Sequence, residues 1–138
     1  MKVLLAYDGS DASKKALKKA IEITSKEKAE LVILSVTEPV CPVSITDKEC
    51  SLFDSSLRAE TKDLLDKIKG EVSKEPVQIK TVVKEGRPAE EIIKFAKDNK
   101  MDLVVIGSHG RHGAKKFFLG SVSLRVAEHA PCSVYIAR

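Results

Sequence analysis

The chain has 138 residues, of which 43% are hydrophobic, 32% charged and 4% aromatic, and this length suits one compact domain spanning residues 1–138. Its apolar runs are no longer than a short strand, and the apolar stretch after Lys2 is too short for a secretory signal, so we expect a cytoplasmic protein without membrane contact. The net charge of +4 equals the contribution of Arg111, Lys115, Lys116 and Arg125, which lie in a stretch without acidic residues. A basic segment confined to one part of the chain favours binding of an anionic small molecule over binding of nucleic acid.

The chain begins with a predicted strand and then alternates helix and strand to its end. Val3 to Tyr7, Leu31 to Val36 and Leu103 to Ile106 are almost continuously apolar, which is typical of parallel strands buried on both faces. Val77 to Val83 and Ser133 to Ala137 alternate between the two faces instead. We therefore expect three central strands and two edge strands.

Four segments between these strands repeat apolar residues at about 3.6-residue spacing, which predicts four helices. Ser10 and Asp11 are placed to cap the first helix, and Pro88 suits the first turn of the third, where its missing N–H costs nothing. The connection from Thr37 to Asp54 has no clear period. We expect it to be an irregular loop that is a candidate lid or partner surface.

Neither the cysteines nor the histidines indicate a metal site. Cys41, Cys50 and Cys132 form neither an even disulfide set nor a C-x-x-C pair, so they are expected to be ordinary reduced thiols. His109 and His112 stand three residues apart and would need a third ligand to hold a metal. We therefore nominate no metal ligand from the protein.

The alternation of strands and helices predicts an α/β fold with a single open, parallel, five-stranded sheet and helices on both faces. With the third and fifth strands at the edges, the simplest strand order is 3-2-1-4-5. This order reverses direction between the first and fourth strands. Ligands of open α/β sheets bind beyond the carboxyl ends of the strands at such a reversal, so the site is expected there.

The residues that follow the first and fourth strands suit an anionic ligand. Gly107 and Gly110 would allow a loop with positive φ whose N–H groups converge on an anion. Gly120 and Ser121 stand where the fourth helix should begin, and the unpaired N–H groups of its first turn would form a second phosphate site. Asp8 ends a buried strand, so its carboxylate needs a partner: a ribose or adenine donor, a backbone amide or a cation-bound water.

Three motifs resemble the universal stress protein family, in its ATP-binding type. They are Gly107-x2-Gly110-x9-Gly120-Ser121, Ala6-Tyr7-Asp8-Gly9-Ser10 and His129-Ala130-Pro131-Cys132. The resemblance covers essentially the whole chain and implies a Rossmann-like fold of the adenine nucleotide alpha hydrolase type. It also implies an ATP-binding protein of the stress response, with Mg²⁺ or Mn²⁺ carried by the phosphates and with a homodimer formed through the C-terminal edge strand.

The resemblance further implies a role for each matching residue. Ala6, Tyr7 and Asp8 would border the adenosine, and Val36 would pack on the base. The ribose and phosphates would be lined by Ile106, Gly107 and Gly110, with Ser108, His109 and Arg111 in the same segment. The phosphate chain would be held by Gly120, Ser121, Val122 and Ser123. Phe117, Phe118 and His112 depart from the usual family pattern, which bears on selectivity more than on binding.

Other phosphate-binding classes lack their motifs. The chain has no G-x-x-x-x-G-K-[ST] and no G-x-G-x-x-G. A receiver domain would need an aspartate at the end of the third strand, where Lys84-Glu85-Gly86 stands instead. No Ser/His/Asp set can be assembled, so we do not expect an enzyme beyond weak ATP hydrolysis. A slow ATP hydrolase and a nucleotide-free homodimeric interaction module remain as alternatives.

Overall fold

The computed structural model describes residues 1–39, 46–72, 77–109 and 119–138. Its five strands are parallel and lie in the order β3-β2-β1-β4-β5. This order and the helices on both faces confirm the predicted α/β sheet. In chain order the elements are β1 (Lys2–Ala6), α1 (Asp11–Glu27), β2 (Glu30–Thr37), α2 (Asp47–Val72), β3 (Gln78–Glu85), α3 (Pro88–Asp98), β4 (Leu103–Gly107), α4 (Ser121–His129) and β5 (Ser133–Ala137).

The core consists of two apolar layers, one on each face of the sheet. Successive strand residues point to opposite faces, so the neighbours Leu4 and Leu5 of β1 belong to different layers. Helices α1 and α2 cover the layer of Leu5, which we call the α1/α2 face. Helices α3 and α4 cover the layer of Leu4, which we call the α3/α4 face. Because the central strands are covered on both faces, they need continuous apolar sequence, and this explains why the pattern predicted their positions.

Three helices, α1, α3 and α4, begin at the predicted residues. The Ser10 side chain caps α1 by accepting a hydrogen bond from the Ser13 N–H at 3.2 Å. Helix α3 begins at Pro88, and α4 begins at Ser121, directly after Gly120. Of the helices within the described ranges, none is both long and apolar enough to cross a membrane.

The expectation of an irregular connection from Thr37 to Asp54 is wrong in part, because α2 already begins at Asp47. A capping box starts this helix: Thr46 Oγ1 accepts from the Glu49 N–H at 3.2 Å, and Glu49 Oε2 accepts from the Thr46 N–H at 3.1 Å. The first fully buried side chain of α2 is that of Leu65, and the apolar stripe that predicted this helix began only at Leu57, so its first turns were not predicted. Residues 40–45 of this connection lie outside the described ranges.

The cysteines differ from one another in their chemical state. Cys132 is a free, half-buried thiol, and burial raises its pKa, so the thiol stays protonated at neutral pH. Cys50 is disulfide-bonded, so the expectation of reduced thiols is wrong there. Spacing along the chain does not report the distance in space on which a disulfide depends. Cys41 lies outside the part of the chain that the structure describes.

Gly107, the last residue of β4, lies against the first turn of α1. A Cβ at Gly107 would lie 2.7 Å from the carbonyl carbon of Ala12 and 2.8 Å from the Ala12 Cβ. Positive φ angles occur at Gly9 and Gly86 but not at Gly107, so the predicted positive φ is wrong there. Gly107 is needed because α1 approaches the strand too closely for any side chain.

Substitution of Gly107 by Ala should destabilise the protein by about 1–3 kcal/mol, because the backbone of Ala12 would have to move away from β4. Gly70 in α2 is the matched control, since a Cβ there meets no atom within 4 Å. Gly70→Ala should leave stability unchanged or raise it by up to about 1 kcal/mol. Urea unfolding of both variants measures the difference, and equal stability of the two variants would contradict the close contact.

Candidate functional site

The carboxyl ends of β1 and β4 lie side by side where the strand order reverses direction. Asp8 follows β1, Ser108 follows β4, and Ser121 begins α4 beside Ser108. We call this region, defined by these three residues, the carboxyl-end site. It is the position at which open α/β sheets bind ligands, so the structure places the candidate residues where the strand order predicted them.

Two hydrogen bonds join the end of β4 to the start of α4. The Gly120 N–H donates to the Ser108 carbonyl at 2.7 Å. The Ser123 hydroxyl donates to the Gly107 carbonyl at 2.8 Å. Gly107 and Gly120, which are thirteen residues apart in the sequence, therefore meet at one place in the fold, as the predicted site requires.

The first turn of α4 has backbone donors that meet no acceptor among the described residues. Its N-cap is Gly120, so no side chain of that residue can cap the helix, and none of the other described side chains does so. The N–H groups of Ser121, Val122 and Ser123 find no acceptor within the described ranges. Three adjacent N–H groups at the positive end of a helix dipole favour a bound anion. The Gly120 N–H itself is already used by Ser108, so Gly120 shapes the turn and the next three residues supply the donors.

The turn after β1 positions Asp8. Asp8 Oδ1 accepts a hydrogen bond from the Ser10 N–H at 2.9 Å, and Gly9 between them has a φ of 83°. This local turn fixes the Asp8 carboxylate at the exposed end of the strand while Ser10 caps α1. Among the partners predicted for Asp8, the structure shows a backbone amide.

Four apolar candidates lie together on the α3/α4 face at the carboxyl end of the sheet. Ala6 and Ile106 are buried in that layer, and Val36 and Val122 are half-buried against it. Tyr7 differs from them, because its ring is buried in the layer of the α1/α2 face. Its N–H donates to the Leu34 carbonyl, and its own carbonyl accepts from the Ser35 hydroxyl. Tyr7 therefore borders the site through its backbone.

The segment after β4 is described only at its beginning. Ser108 is buried, its N–H donates to the Ala137 carbonyl at 2.9 Å, and its hydroxyl lies 3.0 Å from His109 Nδ1. Gly110 and Arg111 lie outside the described ranges, as do His112, Phe117 and Phe118. Within those ranges no three His, Cys, Asp or Glu side chains are placed to hold a metal.

Sequence reasoning missed two features that position the site. One is Ser35, whose buried hydroxyl joins the end of β2 to the Tyr7 carbonyl; its signal was a polar residue within an otherwise continuous apolar strand. The other is Ala12, whose small side chain allows α1 to approach Gly107. Its signal was the run of alanines at positions 12, 16 and 20 on one helix face.

The comparisons with known proteins agree with this geometry. A model of the universal stress protein family matches residues 1–138. This chain belongs to the universal stress protein family. It is 35% identical to the universal stress protein YxiE of Bacillus subtilis over 145 residues, covering 99% of this chain and 98% of YxiE. Universal stress protein UspA from Lactobacillus plantarum has a similar fold, with a TM-score of 0.92, 28% identity and coverage of 100% of this chain and 97% of UspA.

Two other solved universal stress proteins contain nucleotides. One is a complex with cAMP, with a TM-score of 0.76, 24% identity and coverage of 100% of this chain and 96% of that chain. The other, from Archaeoglobus fulgidus, is a complex with dAMP, with a TM-score of 0.71, 20% identity and coverage of 100% and 98%. The similarity of this chain to these two structures shows that it has the same fold. Each of those two proteins binds an adenine nucleotide.

Proposed function

We propose that this universal stress protein binds an adenine nucleotide, ATP in the first place, at the carboxyl-end site, and that its occupancy regulates a step of the stress response. The observation that carries the proposal is the uncapped first turn of α4, whose three N–H groups have no acceptor within the described ranges. Nucleotides in two other structures of the family support it. In this proposal the protein acts in the cytoplasm.

The helix terminus alone is too weak for a triphosphate. An exposed charge at such a terminus gains typically 0.3–1 kcal/mol, so several donors must act together. The sequence between His109 and Leu119 supplies Arg111, Lys115 and Lys116 in addition. We propose that the phosphates bind to the N–H groups of α4 and to this basic segment. A divalent ion, Mg²⁺ or Mn²⁺, would come with the phosphate oxygens, which these hard cations prefer.

The nucleoside has a complementary apolar surface on the α3/α4 face. Val36 and Val122 are half-buried there, beside the buried Ala6 and Ile106, so they leave apolar surface that an adenine ring could cover. The carboxylate of Asp8 stands at the exposed rim, where it can accept from a ribose hydroxyl. We therefore propose that the base packs on Val36 and that the ribose lies between Asp8 and the end of β4.

ATP with Mg²⁺ should stabilise the native protein. At about 100 times its dissociation constant a ligand adds about 2.7 kcal/mol to the free energy of unfolding, and for a chain of this size Tm should rise by on the order of 10 °C. Differential scanning calorimetry measures the shift, and native mass spectrometry of fresh protein identifies any nucleotide that copurifies. An unchanged Tm and a nucleotide-free spectrum would contradict the proposal and favour the interaction module.

A negative charge introduced at the helix terminus separates phosphate binding from folding. Ser121 is exposed, so Ser121→Glu has no packing cost, and a carboxylate in the first turn should stabilise α4 slightly. The same carboxylate should weaken ATP binding at least about tenfold through repulsion and competition for the N–H groups. Ala127→Glu places the same charge on an exposed site nearer the end of α4 and should leave ATP affinity unchanged. Isothermal titration calorimetry compares the ATP affinities of Ser121→Glu and Ala127→Glu. Equal affinities of the two variants would show that phosphates do not bind at this terminus.

We further propose a homodimer through β5. This strand is an edge of the sheet, Tyr135 is 40% exposed, and the strand has no charged residue before Arg138. The Ala137 carbonyl bonds to Ser108 on the β4 side. Because backbone groups alternate along a strand, the N–H groups of Val134 and Ile136 point away from β4, toward a second copy.

Val134→Pro should convert the dimer to a monomer, because it removes an outward N–H without removing a hydrogen bond to β4. Analytical ultracentrifugation should show about twice the chain mass of 15.1 kDa for the wild type and a single chain mass for the variant. Leu52→Ser is the control, since it removes a 63% exposed apolar side chain from α2 and should leave the dimer intact. A monomeric wild type at micromolar concentration would refute the dimer.

A further inference from the structure

We propose that Ser123 is a positioning residue of the nucleotide site, which holds the first turn of α4 against the end of β4 through its buried hydroxyl. The inference rests on the proposed function. The family resemblance places Ser123 among the residues that hold the phosphate chain. In the structure its side chain is 3% exposed and its hydroxyl donates to the Gly107 carbonyl at 2.8 Å. The side chain therefore acts on the ligand through the position of the helix.

The geometry makes Ser123 the link between two separate parts of the site. Its hydroxyl joins α4 to the last residue of β4, and its own N–H is one of the three free donors of the first turn. A second hydrogen bond, from the Gly120 N–H to the Ser108 carbonyl at 2.7 Å, lies one turn away. Together the two bonds set the distance between the end of the strand and the N–H groups that would bind phosphate.

The acceptor of this hydrogen bond cannot easily move. Gly107 is packed against the backbone of Ala12, so the end of β4 is blocked on the side of α1. Helix α4 has only nine residues, and an isolated helix of that length is not stable in water, so tertiary contacts determine its position. Its fully buried apolar contact is Val126, one turn further from the site. Near the N-terminus the Ser123 hydroxyl is therefore the side-chain hydrogen bond that holds the helix, beside the backbone bond from Gly120 to Ser108.

The test compares Ser123→Ala with Thr24→Val. Thr24 is the control because its buried hydroxyl also donates to backbone carbonyls, of Ala20 at 2.8 Å and of Ile21 at 3.2 Å, near the end of α1 where the chain enters β2. Each variant removes one buried, hydrogen-bonded hydroxyl, so both should lose some global stability. Only Ser123→Ala should loosen the first turn of α4.

The first readout is amide hydrogen exchange by NMR in the nucleotide-free protein. In Ser123→Ala the Gly120 N–H should exchange roughly fivefold faster than in the wild type, after normalisation to a core amide such as that of Leu4. In Thr24→Val the normalised rate should be unchanged. Ser123→Cys, nearly equal in size and with a weak S–H donor, should lie between wild type and Ser123→Ala and serves if Ser123→Ala does not fold.

The second readout is the affinity for ATP and for adenosine, measured by calorimetry. Ser123→Ala should bind ATP roughly fivefold to tenfold more weakly and adenosine as the wild type does, because adenosine has no phosphates. Thr24→Val should bind both normally. An unchanged exchange rate at Gly120, or an equal loss for ATP and adenosine, would overturn the role of Ser123. Failure of the wild type to bind ATP would instead overturn the proposed function, and the exchange rates would still decide whether Ser123 positions the helix.

Discussion

The hydrogen bonds between the end of β4 and the first turn of α4 fix the geometry of the carboxyl-end site. Gly107 ends β4, and the hydrogen bond from the Gly120 N–H to the Ser108 carbonyl holds the start of α4 beside that strand end. On its other side Gly107 packs against Ala12, so β4 is confined between α1 and α4. If this junction moved, the N–H groups of the first turn of α4 would no longer lie beside the end of β4, and the proposed site would lose its donors.

The two helices at the site differ in how their N-termini are satisfied. The Ser10 side chain caps α1 and so uses one of its free N–H groups, whereas α4 begins at a glycine without a side chain. Replacing a serine cap by glycine costs only a few tenths of a kcal/mol, because water can reach the N–H groups that the side chain leaves free. The open terminus of α4 is therefore compatible with a stable fold, and it keeps three donors available for an anion. This difference explains why the proposed phosphate site lies at α4.

The sequence was sufficient to predict the strand order, since central strands covered on both faces must be continuously apolar and edge strands need not be. It was insufficient for the first turns of α2, because none of their side chains is fully buried and helix periodicity is visible only where an apolar face is buried. The capping box from Thr46 to Glu49 was the one local signal of that helix start. The sequence correctly indicated that position 107 needs a glycine, but the expected reason, a positive φ, was wrong. The glycine is needed because α1 lies against it, and contact with a distant helix cannot be inferred from the neighbours of a residue in the chain.

The same limit applies to the run from Ala6 to Asp8, which the family resemblance treats as a unit bordering the adenosine. Consecutive residues of a strand point to opposite faces, so Ala6 belongs to the α3/α4 face and Tyr7 to the α1/α2 face. The backbone N–H and carbonyl of Tyr7 both take part in hydrogen bonds within the sheet. A nucleoside that packs on Val36 and Val122 must therefore lie on the α3/α4 face, where Ala6 and Ile106 form the floor beneath it. In that arrangement Tyr7 contributes to the site by holding β1 and β2 together. Asp8 lies beyond the end of the strand, so of these three residues it is the one whose side chain can reach the ligand.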